Sequence, residues 1–302
     1  MTTVIGLAPN EHGRAAVHLG AMLARSISDD VVVAAIVPTP WPPNPYRDDA
    51  AYQAYQERAA REALLEAASF VGPDLKVEYV VRDARSVSSG ILDVARECNA
   101  TLVALGSSSA GVLGQITLGG VAERILHSTD IPVTLAPKGF DTGSVNARVS
   151  RITVAFGRAD TDSDLLSTAV TVARDIGATL RVACFAVRPM ASFSGSIEED
   201  AEDLVVDVWA QNLDDDIARA LGAADSGQVQ PGSIATRVDT VIGRGTTWAE
   251  ALADVEWASG DVLAVGTSSS AISRFFLGSH ASKIVRNSSV PVFLMPRAVP
   301  LP

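Results

Sequence analysis

Two stretches hold the residues best suited to chemistry: GSSSAGVLGQITLGG at 106–120 and GTSSSAISRFFLGS at 266–279. Each follows a short apolar run, TLVAL or DVLAV, and each opens onto a helical pattern. Glycines in such a place let the backbone approach a phosphate, and the free amides of a first helical turn point at it. The chemistry on offer is therefore anion binding by main chain, without a basic side chain. The candidates are Gly106, Ser107, Ser109, Gly119 and Gly120 in the first stretch. In the second they are Gly266, Ser269, Gly278 and Ser279, with His280 beside them as a donor to phosphate. The commoner role for such a histidine is a partly exposed place in the first turn of a helix. The spacing matches neither the dinucleotide fingerprint nor the Walker loop, whose lysine is missing.

Little else has the spacing of a reactive site. His12, His18, His127 and His280 are scattered, with no metal-ligand pattern around them. No nucleophile elbow or paired-acid motif appears. Glu11 and Asp160, near the ends of the first strand of each half, can face a ligand, but acids are also common at helix starts. Trp41, Trp209, Trp248 and Trp257 are expected in packing or interdomain contacts.

The elements around these loops alternate. In the first half, strands are expected near 3–8, 31–37, 76–82, 101–106 and 132–136. EHGRAAVHLGAMLARSI, the run from 46 to 72, SVSSGILDVARECN and GVAERILHS carry apolar residues at helical spacing. Continuously apolar strands are buried on both faces, and their alternation with helices implies a parallel, doubly wound sheet. Gly177, after ARDI, marks a helix C-terminus.

The pattern then repeats. VIGLAPNEHGRAAVHLGAMLAR (4–25) matches ITVAFGRADTDSDLLSTAVTVAR (152–174), and VVVAAIVPTP (31–40) matches LRVACFAVRP (180–189). VEYVVRDARSVSSGILDVA (77–95) matches VDTVIGRGTTWAEALADVE (238–256). Repetition over a whole domain length means duplication. The expected units are residues 1–140 and 151–298, joined by a polar Gly- and Ser-rich linker at 141–150. Two departures break the symmetry. PTPWPPNPY (38–46), with five prolines, is expected to be stiff and non-helical. The run from 194 to 221 reads as an acidic amphipathic helix with a solvated face.

The whole constellation resembles the universal stress protein family in a tandem two-domain form, over nearly the entire chain. A Gly, two residues, a second loop position, nine residues and then Gly-Ser carry the likeness, together with a hydrophobic-Pro-Val final strand. The resemblance implies two Rossmann-like, doubly wound, five-stranded parallel-sheet domains arranged as an intrachain pseudo-dimer. It also implies ATP, or a related adenine nucleotide, held in this loop in the nucleotide-binding members. The middle glycine of the pattern is replaced by Ser109 and Ser269, and Gly120 stands where a hydroxyl is usual. A serine held at positive φ there costs about 1 kcal/mol. The aspartate that such members place after the first strand falls on Ala8 and Gly157, and losing a charged hydrogen bond weakens binding about ten- to a hundredfold. If one half binds, Gly278-Ser279 favours the second, which keeps the hydroxyl.

The totals fit a regulatory or sensory role. At 302 residues with 47% hydrophobic and 20% charged composition, the chain is globular and long enough for two cores. A net charge of −11 argues against nucleic acid and anionic membranes as partners. Seven apolar residues at 31–37 are too few to span a bilayer, no secretory signal is evident, and Cys98 and Cys184 read as reduced. The expected setting is the cytoplasm, and no motif requires a metal. A nucleotide-free scaffold with vestigial loops and a weak ATP hydrolase are the alternatives. IPVTLAP and VPVFLMP are bounded by proline and so belong at sheet edges. Residues 132–136 are expected antiparallel to 291–295, with further self-association left to other faces.

Overall fold

The computed structural model describes residues 1–10, 13–39, 49–157, 159–187, 238–270 and 273–295. Most of the proline-rich stretch at 38–46, the acidic run at 194–221, Glu11, His12, Trp41 and Trp209 lie outside them, as does the side chain of Asp160.

In the first half the elements are β1 (Thr2–Leu7), α1 (Gly13–Ile27), β2 (Asp30–Pro38), α2 (Asp49–Ala67), β3 (Val77–Ala84) and α3 (Val87–Glu97). They continue with β4 (Leu102–Gly106), α4 (Gly120–Ser128) and β5 (Val133–Ala136). The second half runs β6 (Arg151–Ala155), α5 (Ala159–Ile176), β7 (Thr179–Val187), β8 (Asp239–Gly245), α6 (Trp248–Ala253) and β9 (Asp261–Gly266). After these come β10 (Ser268–Ser270), β11 (Ser273–Phe276), α7 (Ser279–Asn287) and β12 (Val292–Met295). Strand order in the first half is β3-β2-β1-β4-β5, all parallel. The second half repeats it as β8-β7-β6-β9-β12. Each half is thus a doubly wound α/β unit whose strand order reverses beside its first strand.

Local signals explain the element ends. Ser86 caps α3 by accepting the Ser89 amide at 3.2 Å, and Ser89 returns the bond to the Ser86 amide. Gly177 ends α5 at φ 70°, a left-handed turn that glycine takes without cost. The continuously apolar β4 and β9 are buried along Leu102–Leu105 and Asp261–Val265.

The halves meet along β5 and β12, which pair antiparallel with Leu135 opposite Val292 and Val133 opposite Leu294. One ten-stranded sheet results. Its two faces carry cores that cross this seam. On one, Ile91 of α3 and Ile125 of α4 share a cluster with Leu252 of α6 and Val285 of α7. On the other, Leu19 of α1 packs in one cluster with Leu166 of α5. Residues 141–150 do not hang free between the halves. The Val149 amide donates to Ser26 Oγ at 2.8 Å, and Arg25 reaches the Ala147 carbonyl at 3.2 Å and Asp74 at 2.6 Å. The connecting segment is thereby laid on the end of α1.

Two outcomes are expected. Leu294 is fully buried at the seam, so Leu294→Ala costs about 2–5 kcal/mol, read as a lower urea midpoint. His18 of α1 is buried beside Phe70, with its Nδ1 3.3 Å from the Thr142 hydroxyl. Burial pushes its imidazole below the ordinary 6.5, partly opposed by Asp141. The unfolded chain then takes up the proton first, so this contribution is whole above about pH 6.5 and lost as the pH falls toward the native value. A His18→Gln variant should show a flatter fall in denaturant midpoint between about pH 7 and 5.

Candidate functional site

The first glycine-serine loop leaves the carboxyl end of β4 at the reversal of strand order, where open α/β sheets bind ligands. Ser107 anchors it. Its amide donates to the Ala136 carbonyl at 3.0 Å, and its buried hydroxyl receives the Thr117 amide at 2.8 Å. The Ser108 amide adds a bond to the Thr117 carbonyl at 2.9 Å, closing the loop on itself. Lys138, just past β5, ties the outer turn by donating Nζ to the carbonyls of Ser109 and Gly111, both at 2.8 Å.

This loop borders a cleft of about 280 Å³. Gly106, Ser107 and Ser109 form one wall, and Gly119 with the first residues of α4, Gly120 and Val121, forms another. Gly119 stands at the N-cap of α4 in extended backbone and makes no side-chain capping bond to the helix amides. Those amides, with the positive end of the helix dipole, are left for a ligand. Ala8 borders the cleft at the end of β1. The turn after it is tight: a Cβ on Gly13 would lie 2.3 Å from the Ala8 carbonyl oxygen, so only glycine fits. Val87 and Ile91 of α3 supply an apolar side. No charged side chain is among the described residues lining it, so its field comes from main-chain dipoles.

All six first-half candidates, Ala8, Gly106, Ser107, Ser109, Gly119 and Gly120, therefore border one cleft. Strain at Ser109 is absent, contrary to expectation. The loop takes its left-handed turn at Gly114, φ 77°, and among the described non-glycine residues only Ser28 and Asn99 have positive φ. Serine is tolerated at the middle position because the turn has moved five residues on.

The second half has the same parts differently filled. Gly266 ends β9, Ser269 lies in β10, and β10 pairs with β11 as a short antiparallel hairpin. Gly278 is the N-cap of α7, Ser279 its first residue, and Gly157 is exposed beyond β6. His280 is exposed in the first turn of α7, and its ring lies 5.5 Å from that of Trp248, with Lys283 Nζ 5.8 Å from the same indole. In the register of the repeat, Trp248 and His280 occupy the positions of Val87 and Val121, which border the first cleft. Two aliphatic side chains there are replaced by two neighbouring rings here. Sequence reasoning had placed Trp248 in packing and missed this consequence. The signal was the exchange of Val for Trp at the start of equivalent helices.

The arrangement defines a tandem, doubly wound α/β protein with a glycine- and serine-bearing loop at each switch point. A family model for the universal stress protein family matches residues 1–137 and again 148–296, and the chain belongs to that family of stress-response proteins. It is 32% identical over 301 residues to "Universal stress protein Rv2319c" of Mycobacterium tuberculosis, covering 98% of this chain and 100% of that one. "Universal stress protein Mb2346c" of Mycobacterium bovis matches equally, at 32% over 301 residues with the same coverage. Among solved structures, a universal stress protein from Archaeoglobus fulgidus superposes with a TM-score of 0.58 at 18% identity, covering 98% of both chains. A putative universal stress protein from Pseudomonas aeruginosa gives 0.54 at 13% identity, covering 97% of this chain and 92% of that one. These two establish the fold. No helix among the described residues is long and apolar enough to cross a membrane.

The Ser107 hydroxyl is the loop's internal anchor. Ser107→Ala should loosen 107–117 by about 1 kcal/mol. Amide exchange at Thr117 should then quicken about fivefold, while the amides of β4 keep their protection.

Proposed function

We propose that this chain is a cytoplasmic regulatory or sensory member of its family that binds ATP, or a related adenine nucleotide, in the first-half cleft. The observation that carries the reading is the uncapped start of α4 facing Ser107 and Ser109 across a cleft with no charged side chain among the described residues lining it. A phosphate chain suits those amides, since helix N-termini and glycine loops bind anions without basic side chains. Gly106, Ser109, Gly119 and Gly120 would hold the phosphates by main chain, while Val87 and Ile91 offer an apolar surface to the base or sugar. Ala8 brings no carboxylate to a ribose, so affinity rests on the phosphate end. Binding and orienting the nucleotide is the role these residues support.

The second half fits the alternative, a nucleotide-free interaction module, because Trp248 meets His280 where the first half has its opening. We therefore take residues 1–140 as the binding unit and 151–298 as its non-equivalent partner, joined through 141–150 as one pseudo-dimer within the chain. The β5–β12 pairing supports that arrangement. Reduced cysteines suit the cytoplasm, and neither Cys98 nor Cys184 is in a disulfide.

Titration of ATP into the full chain by calorimetry tests the assignment. Val87→Trp, which gives the first cleft the side chain of the second, should weaken binding at least tenfold, and Ser279→Ala should leave it unchanged. The reverse pattern would move the site to the second half, and no heat with wild type would leave the scaffold reading.

A further inference from the structure

The ten-stranded sheet ends on β3 at one side and on β8 at the other. The β3 side is open along its length. The amides of Val31 and Thr39 donate to the carbonyls of Lys76 and Ala84, at 2.9 and 2.8 Å, so the even-numbered residues of β3 turn their main chain toward β2. In a parallel strand the intervening residues turn theirs the other way. The amides and carbonyls of Val77, Tyr79, Val81 and Asp83 therefore face outward, and no described residue bonds them there. Packing does not hide the strand either. No residue of β3 is fully buried, whereas its neighbour β2 is buried from Val31 to Val37.

An edge of this kind is a template for another strand, and its side chains decide which strand fits. Glu78 and Arg82 lie on one face of β3, with Val80 midway between them. When two copies of β3 run antiparallel about a twofold axis at Val80, Glu78 of each lies opposite Arg82 of the other. The same register sets Tyr79 opposite Val81, an aromatic and β-branched pair of the kind that stabilises sheets. Other axes fit worse. One at Glu78 or Arg82 brings like charges face to face, one at Tyr79 sets Arg82 opposite Lys76, and one at Val81 gives each charge an uncharged neighbour. Arg82 can take the second carboxylate. Its Nη1 and Nη2 bond Glu97 of α3, but its side chain remains 35% exposed and its guanidinium has further donors.

The strand at the other side has no such symmetry. The charged residues of β8, Asp239 and Arg244, are an odd number of residues apart and point to opposite faces, so no twofold pairing sets them against each other.

We propose that β3 is an interface between two copies of this chain, paired antiparallel about Val80, which joins two ten-stranded sheets into one. About eight main-chain hydrogen bonds, from Val77, Tyr79, Val81 and Asp83 of both strands, carry the contact. The Glu78–Arg82 pairs fix its register. A twofold contact closes on itself, so assembly through β3 stops at two chains. None of this depends on what the first cleft binds.

Sedimentation of the full chain over a range of concentrations tests the interface. Wild type should pass from the mass of one chain to that of two as concentration rises, and amide exchange at Tyr79 and Val81 should slow in step. Glu78→Arg, which sets arginine opposite Arg82, should raise the dissociation constant at least about tenfold, and Arg82→Glu should do the same. Mixed together, the two variants place arginine opposite glutamate at both positions, so the mixture should associate about as well as wild type. The exchange measurement uses wild type alone and decides the matter even where a variant fails to fold. A chain that stays single at every concentration, a dimer unmoved by Glu78→Arg, or Tyr79 and Val81 amides indifferent to concentration would overturn the proposal.

Discussion

The antiparallel pairing of β5 with β12 is the contact on which the rest of the molecule depends. Each strand has only four residues, VTLA and VFLM, and closes its half of the sheet. Left open, two such apolar edges would invite association with other chains. Joined, they place Thr134 where its hydroxyl donates to the Val292 carbonyl at 3.1 Å and bring Leu135 and Leu294 into one core. The twofold character of the seam also fixes the orientation of the two loops, since antiparallel final strands send the carboxyl ends of the two half-sheets in opposite directions. The two loops of one chain can then never face each other across a single opening.

Much of this was legible in the sequence because it follows from local patterning. Apolar runs such as VVVAAIV and TLVAL can only be buried strands, and the glycines at 106, 119, 266 and 278 fall where strand gives way to helix. The flanking prolines at 132 and 291 mark sheet edges whatever the tertiary context, because proline has no amide to donate. The duplication doubled each of these signals and so fixed the order of elements.

What was not legible depends on residues that only the fold brings together. Ser109 looked strained because a glycine pattern was read position by position, whereas the loop moves its left-handed turn to Gly114 and holds its outer rim through Lys138, 29 residues away. The filling of the second site needed Trp248 and His280 in contact across 32 residues of sequence, and neither is unusual by itself.

The asymmetry between the halves has one physical theme. Duplication first gives two equal sites, and each copy can then exchange stability against binding separately. In the second half, Arg181 stacks on Trp257 with 4.9 Å from guanidinium to ring, bonds the Glu256 carbonyl at 2.8 Å and approaches Asp261. Burial holds its guanidinium below its ordinary pKa, so the cluster spends interaction energy simply to keep a charge inside. One Arg181 nitrogen, Nη2, still lacks a hydrogen-bond partner. Such a cluster specifies one packing of β6, β7 and β9 and leaves no room for a ligand's charge. The first half has taken the opposite course at the carboxyl end of β4. The amides at the start of α4 receive no capping bond from Gly119. That is the condition a protein must accept if another molecule is to complete it.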